Sequence, residues 1–183
     1  MSMSMEHIRQ IRAEADCLVE AETVERELAR MADEITARLA DNNPIVLSVM
    51  SGAMIPAGQL LSLINFPLEI DYIHASRYGE ATSGGALRWY ARPHLPLRGR
   101  SVLIVDDIFD EGLTLEAIVD YCRENGADEV LSAVLVKKQR QRASEMEVDF
   151  FAVEVEDRYV FGCGMDYKGY WRNLPAIYAV KGM

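Results

Sequence analysis

The chain changes its hydrophobic rhythm several times, and each change marks an element. Val24, Leu28, Met31, Ile35 and Leu39 recur at steps of three and four. That spacing lays one apolar stripe along a helix. The helical reading covers residues 5–42, with Thr23 as N-cap, Glu25 and Glu27 favourable in the first turn, and Asn42-Asn43-Pro44 as the stop. Ile45 to Met50 is then an apolar run of strand length, Ser51-Gly52 turns, and residues 54–64 read as a helix. Leu68 to Ile73 alternates apolar and polar, as a half-buried strand does. Residues 76–86 are rich in small, turn-forming residues and predict a mobile loop, followed by a short strand at 87–91 and a connection punctuated by Pro93 and Pro96. Ser101–Val105, Val130–Val136 and Phe150–Val153 are further strands. Leu115, Ile118, Val119 and Cys122 mark one face of a helix that Gly126 closes, and the polar residues 138–147 predict a surface turn or short helix. Strands alternating with helices of about a dozen residues give an α/β protein with a mostly parallel sheet. With no internal repeat, residues 1–183 read as one domain.

Composition narrows the function classes. A chain of 183 residues buries about 70% of its unfolded surface and needs no disulfide or metal staple. Lys plus Arg is 19 against 29 Asp plus Glu, a formal net charge of −10. That balance disfavours a whole-surface grip on nucleic acid or adhesion to anionic lipid. A small anionic ligand then requires a local pocket. Cys17, Cys122 and Cys163 are odd in number, widely spaced and without a CxxC pair, which points to reduced thiols and against structural zinc. His7, His74 and His94 show no metal-ligand spacing. Met1 to Arg9 lacks an apolar core of signal-peptide length, and no stretch approaches the roughly 18 apolar residues of a membrane span. The expected setting is the cytoplasm.

The chemistry concentrates in Val102-Leu103-Ile104-Val105-Asp106-Asp107-Ile108-Phe109-Asp110-Glu111-Gly112-Leu113-Thr114-Leu115. In an open α/β sheet, ligands bind beyond the carboxyl ends of the strands. Asp106 and Asp107 are placed at such an end, and the loop 108–114 leads into a helix N-terminus. There, free backbone N–H groups and the helix dipole hold a phosphate, and Gly112 lets the backbone approach it closely. Acids beside a phosphate seat repel it unless they accept sugar hydroxyls or act through magnesium. The combination describes a phosphorylated sugar: phosphate in the loop, ribose hydroxyls on the acids.

This segment resembles the 5-phosphoribosyl-1-pyrophosphate (PRPP) signature of the type I phosphoribosyltransferases, and more narrowly that of the hypoxanthine-guanine phosphoribosyltransferases. Three other segments carry the narrower resemblance. Val46 to Gly52 resembles the pyrophosphate loop, in which a non-proline cis peptide would fall at Met50–Ser51; many members have Lys where this chain has Ser51. Arg77-Tyr78 followed by Thr82-Ser83-Gly84-Gly85 resembles the lid loop that closes over the substrates, with Arg77 departing from the usual Ser and Tyr78 matching. Tyr159 to Pro175, with its Gly-x-Gly-x-Asp-Tyr-x-x-Tyr-x-Arg-x-Leu-Pro order, resembles the purine-binding hood. The likeness spans roughly residues 40–181.

The resemblance implies the type I phosphoribosyltransferase fold, with a mostly parallel sheet flanked by helices, residues 1–42 as a helical N-terminal segment and residues 155–183 as the hood. It implies transfer of the phosphoribosyl group from PRPP to hypoxanthine or guanine, with pyrophosphate leaving and magnesium as cofactor. Asp106 and Asp107 would hold the ribose hydroxyls and the metal, and Asp166 a second magnesium. Ser51, Gly52 and Arg172 would grip pyrophosphate. Asp110 would be the general base near purine N7. The 5′-phosphate would rest on the backbone of Asp110, Glu111, Gly112, Leu113 and Thr114, with the Thr114 hydroxyl contributing. Most relatives have Thr where this chain has Glu111, so its side chain is expected to point away. Lys137 would meet the purine 6-oxo group, Tyr159 would stack on the base, Val160 would offer backbone groups, and Met165 would pack beneath the ring. Dimers or tetramers are common in the family.

Two other functions fit parts of the pattern: a xanthine-preferring enzyme, and a non-catalytic regulator sensing PRPP or nucleotides on the same fold. A regulator of nucleic acid needs a basic face. Lys137-Lys138-Gln139-Arg140-Gln141-Arg142 is the one local candidate.

Overall fold

The computed structural model describes residues 4–77, 87–142 and 144–182. A six-stranded sheet runs in the order β4-β3-β2-β5-β6-β7, formed by β2 (Ile45–Val49), β3 (Glu69–Arg77), β4 (Leu87–Ala91), β5 (Ser101–Phe109), β6 (Glu129–Gln139) and β7 (Phe150–Glu156). Every pairing is parallel except β3 with β4. All five residues of β2 are buried, as a central strand covered on both faces requires.

The chain moves from β2 outward to β3 through α3 (Met54–Leu63), and from β5 in the opposite direction to β6 through α4 (Leu113–Glu124). Right-handed crossovers in opposite directions put these helices on opposite faces. The reversal leaves a crevice between the ends of β2 and β5, the place where open α/β sheets bind ligands. Helix α2 (Ala21–Leu39) packs beside α3 and against β7. Its stripe of Val24, Leu28, Met31, Ile35 and Leu39 is buried, and each such side chain contributes about 1.5–3 kcal/mol. Arg30 ties α2 to β7 by donating to the carbonyls of Phe151 at 2.8 Å and Ala152 at 3.0 Å.

The long N-terminal helix expected over residues 5–42 is instead two helices. α1 (Met5–Glu14) and α2 are separated by a short strand, β1 (Asp16–Val19). β1 pairs antiparallel with β9 (Ile177–Ala179), which pairs with β8 (Val160–Phe161). Pairing with a strand about 160 residues away overrides the local helical tendency there. The N-terminal segment is therefore part of the hood. Ile8, Phe161, Tyr167 and Val180 form the hood's own apolar cluster, and Trp171 Nε1 donates to the Ile8 carbonyl at 2.9 Å. Thr23 is not the N-cap. Glu20 is, without a side-chain cap bond, because α2 begins at Ala21; the first-turn acid is Glu22.

β5 and β6 also run further than the apolar pattern indicated. β5 continues through Asp106, Asp107 and Ile108 to Phe109, and β6 through Lys137 and Lys138 to Gln139. The polar residues in both extensions still pair in register, Asp106 with Val134 and Phe109 with Lys137. No helix forms among the described residues of 138–147. The predicted lid at Arg77-Tyr78 lies largely outside the described residues: Arg77 ends β3 opposite Leu87, and residues 78–86 are not described. No helix among the described residues is long and apolar enough to cross a membrane.

Candidate active site

The turn after β2 and the inner face of β5 meet at the crevice. The Met50–Ser51 peptide is cis. Gly52 lies so close to Asp107 that a Cβ there would overlap the Asp107 carboxylate, and a Cβ on Gly164 would overlap the Gly52 carbonyl oxygen. Only residues without a side chain allow this stacking of β2 turn, acid and hood turn. The turn after β5 is short: Asp110, Glu111 and Gly112, the last at φ 79°, lead directly into α4. Leu113 and Thr114 form the first turn of that helix, whose N-terminal end carries the positive end of the helix dipole.

Asp106 is buried, and Asp107 is partly buried with its side chain 13% exposed. The Asp107 backbone N–H donates to Asp106 Oδ1 at 2.9 Å. Burial, reinforced by the neighbouring Asp107 charge, pushes the Asp106 carboxyl well above the usual carboxylate range. Burial likewise raises Asp107, against the pull of its hydrogen bonds and of Arg172. Arg172 Nη1 stands 3.7 Å from Asp107 Oδ2. The same guanidinium bonds Asp166 Oδ1 and the Gly164 carbonyl, while Asp166 Oδ2 accepts from Gly169 N at 2.5 Å. Both Asp166 oxygens are thus engaged within the hood.

A cleft of about 250 Å³ opens beside the acids, lined by Asp107, Ile108, Asp110, Lys138, Tyr159, Val160, Met165 and Asp166. Tyr159 is 41% exposed at its rim, and its hydroxyl donates to the Asp166 carbonyl at 3.4 Å. Val160 and Met165 are buried beneath. Burial raises the Tyr159 phenol, which keeps it a neutral donor. The structure brings the predicted Asp107, Asp110, Tyr159, Val160, Met165 and Asp166 together. It does not bring Lys137. Successive side chains of a strand face opposite ways, and Lys137 turns to Glu147 at 3.1 Å and Glu154 at 3.9 Å. Lys138 is the lysine in the cleft, 3.0 Å from Asp110 Oδ2 and 3.4 Å from Asp157. Arg140 completes the group, with Nη1 at 2.7 Å from Asp110 Oδ1 and Nη2 at 2.5 Å from Glu111 Oε1. The Glu111 carboxylate is accordingly drawn to Arg140.

Lys138, Arg140 and Asp157 were not singled out from the sequence as site residues. The β6 register against β5 distinguishes Lys138 from Lys137, and that register is visible only once the strand's full length is known. The basic run 137–142 is not a free cationic face, because Lys137, Lys138 and Arg140 each meet carboxylates. Another cleft, of about 300 Å³, lies along α4 and is lined by Glu116, Asp120, Arg123 and Glu147 among others, away from the switch point between β2 and β5. Burial pushes the Cys122 thiol up to about 12 and the Cys163 thiol up to about 11, so neither supplies a thiolate at neutral pH.

The donor set suits magnesium in one particular way. No group of three or more His, Cys, Asp and Glu among the described residues forms a cage for a metal ion. Magnesium commonly binds through one or two carboxylates and completes its shell with water and substrate phosphates. The two oxygen-only carboxylates Asp106 and Asp107 fit that partial role.

A sheet with a strand-order reversal, a short turn running into a helix N-terminus at one strand end and an acid pair beside it form the type of α/β fold that binds ligands at its switch point. A profile of the phosphoribosyl transferase domain matches residues 14–168. The chain belongs to the phosphoribosyltransferase family. It is 32% identical over 165 residues to the hypoxanthine-guanine phosphoribosyltransferase of Bacillus subtilis, covering 90% of this chain and 92% of that protein. It is 31% identical to the hypoxanthine-guanine-xanthine phosphoribosyltransferase of Tritrichomonas foetus, covering 90% of each. Among solved structures it superposes on a hypoxanthine-guanine phosphoribosyltransferase of Bacillus anthracis with a TM-score of 0.85 at 26% identity, over 90% of this chain and 98% of that one.

Proposed function

We propose that this protein salvages purines by transferring the 5-phosphoribosyl group of PRPP to hypoxanthine or guanine. The observation that carries the reading is the meeting of the Asp106–Asp107 pair, the turn 110–112 at the N-terminus of α4, and the cleft under Tyr159. Each half of the reaction then has a place. The sugar phosphate rests on the backbone N–H groups of Glu111 to Thr114, with the Thr114 hydroxyl beside them. Asp106 and Asp107 take the ribose hydroxyls. Arg172 and the turn at Ser51-Gly52 hold the pyrophosphate, whose oxygens match a planar guanidinium.

The purine lies in the cleft against Tyr159, with Met165 beneath it and the Val160 backbone at its edge. Lys138, rather than Lys137, donates to the 6-oxo group. A donor there favours hypoxanthine and guanine over adenine, whose amino group is itself a donor. As the C1–oxygen bond breaks, its electron pair leaves with pyrophosphate and the ribosyl carbon becomes oxocarbenium-like. N9 attacks C1, and Asp110 accepts the N7 proton. Asp106 and Asp107 would help hold a magnesium ion brought in with PRPP, which would supply positive charge against the charge developing on pyrophosphate. Asp166 serves a metal only by releasing Arg172 or Gly169, which its present bonds occupy.

The reading includes a cytoplasmic setting and assembly into a dimer or tetramer. Ile70, Tyr72 and Tyr90, which are 60%, 39% and 51% exposed on β3 and β4, offer apolar surface for that assembly; light scattering measures it. The test of function is turnover of PRPP with magnesium and each of hypoxanthine, guanine, xanthine and adenine, followed by pyrophosphate release. Activity with the 6-oxopurines and not with adenine is expected. Release with none of the four overturns the reading. The charge arrangement favours it over a nucleic-acid regulator, since the cations of 137–140 are already matched by carboxylates.

A further inference from the structure

Glu111 sits in the turn where a phosphate is to dock, and a carboxylate there repels a phosphate. Its side chain is half exposed and swings to Arg140, on the segment following β6, with Nη2 to Oε1 at 2.5 Å. The same guanidinium reaches Asp110 Oδ1 at 2.7 Å and Asp157 Oδ1 at 3.5 Å. Its Nε is buried and meets no acceptor among the described residues. Lys138 shares Asp110 and Asp157. Arg142 secures the same loop from behind: it donates to the carbonyls of Asp110 and Lys138 and lies 4.4 Å over the Phe109 ring. Asp110, Glu111 and Asp157 are therefore faced by Lys138 and Arg140, Arg142 adds a third positive charge through the loop carbonyls, and the turn carries no net negative charge. Without Arg140 it would carry one excess negative charge, next to Glu111.

We propose that Arg140 is a phosphate-positioning residue: it draws Glu111 off the turn and cancels its charge, so that a sugar phosphate can dock on the Asp110–Thr114 backbone. The inference rests on the reading that this turn receives the 5′-phosphate of PRPP. Arg140 acts through Glu111, so its value depends on which residue stands at 111. An ion pair open to solvent on one side, as this one is at the half-exposed Glu111, adds little to stability. Its removal should therefore appear in phosphate binding and hardly at all in folding.

Four proteins decide it: wild type, Arg140→Gln, Glu111→Thr and the double variant. With Glu at 111, Arg140→Gln should raise KM for PRPP about tenfold or more, while KM for the purine and the melting temperature move little. With Thr at 111, the same substitution should raise KM for PRPP less than about threefold. Arg140→Lys should recover part of the loss, and the loss should shrink as salt rises. An equal loss with Glu and with Thr at 111, or no loss with Glu, overturns the proposal. Calorimetric binding of ribose 5-phosphate to the same four proteins needs no turnover. A wild type that binds it but turns over no purine defeats the proposed function while the coupling between 111 and 140 still stands or falls by itself. A wild type that binds neither sugar phosphate overturns both.

Discussion

Asp71 on β3 and the Asp106–Asp107 pair on β5 are carboxylates largely buried in one sheet, and their surroundings act on them in opposite senses. Asp71 receives three backbone N–H groups, from Tyr72 at 2.8 Å, His94 at 2.6 Å and Leu95 at 2.8 Å. Burial alone would raise its pKa, but these three donors and His94 outweigh it and hold the carboxyl below the usual range. At Asp106 burial meets a second acid and a single backbone donor, the Asp107 N–H, and its carboxyl is pushed well up. The first site is a structural clamp that pins the connection between β4 and β5 to the sheet. The second is a buried charge site left open on one side, which costs stability in the free protein and is relieved when a ligand supplies hydroxyls or a cation. Local strain of that kind is a mark of function.

The largest expected effect is on activity. Asp106→Asn together with Asp107→Asn should lower turnover by about a hundredfold or more, because the ribose contacts proposed for this pair would be lost. Its melting temperature should nonetheless rise by about 2–4 °C, since two crowded carboxyls become neutral. Asparagine still accepts from the Asp107-position N–H, so the fold is kept. Asp71→Ala should do the reverse, costing about 1–3 kcal/mol in denaturant unfolding because three N–H groups lose their acceptor. Kinetics of that variant at a temperature where it stays folded should be close to those of the wild type.

The two sites also separate by pH. A lowered pKa contributes stability that is present above the unfolded value, near 4, and is lost as pH falls through the folded value. The Asp71 clamp should therefore weaken in acid. A raised pKa has the other sign: the folded state binds more protons, and its penalty appears as pH rises above about 4. The gain from Asp106→Asn should be greater at pH 7 than at pH 4 in paired unfolding curves. A larger gain at pH 4 would contradict the assignment.

Asp110 differs from both, since the side chains of Lys138 and Arg140 hold its carboxylate. Lys138→Met should lower kcat/KM for the purine about 10- to 100-fold, while Lys137→Ala, on the opposite face of β6, should change it less than about threefold. The reverse order would return the purine contact to Lys137.

How much the sequence disclosed follows the range of the forces involved. The apolar stripe of α2, the buried run of β2 and the acid-Gly-Thr turn before α4 are local patterns and were legible, although the bounds of α2 were not. β1 did not, because four residues pair only with a strand at the other end of the chain. The ends of β5 and β6 were missed because polar residues there continue the ladder toward the site, where apolar periodicity stops being informative. That same error put Lys137 in place of Lys138: adjacent lysines differ only in the face they occupy. Arg140 is set by a contact with Glu111 across the loop, which no spacing along the chain reveals.

The most direct test heats the wild type and the Asp106→Asn, Asp107→Asn double variant with and without PRPP and magnesium. The account predicts a wild type that gains several degrees on adding the ligand, about 2.7 kcal/mol at a hundred times its dissociation constant. It predicts a double variant that starts higher and gains almost nothing. A double variant that melts lower than the wild type, or that gains as much from the ligand, would contradict the claim that this acid pair is held open for an activated ribose.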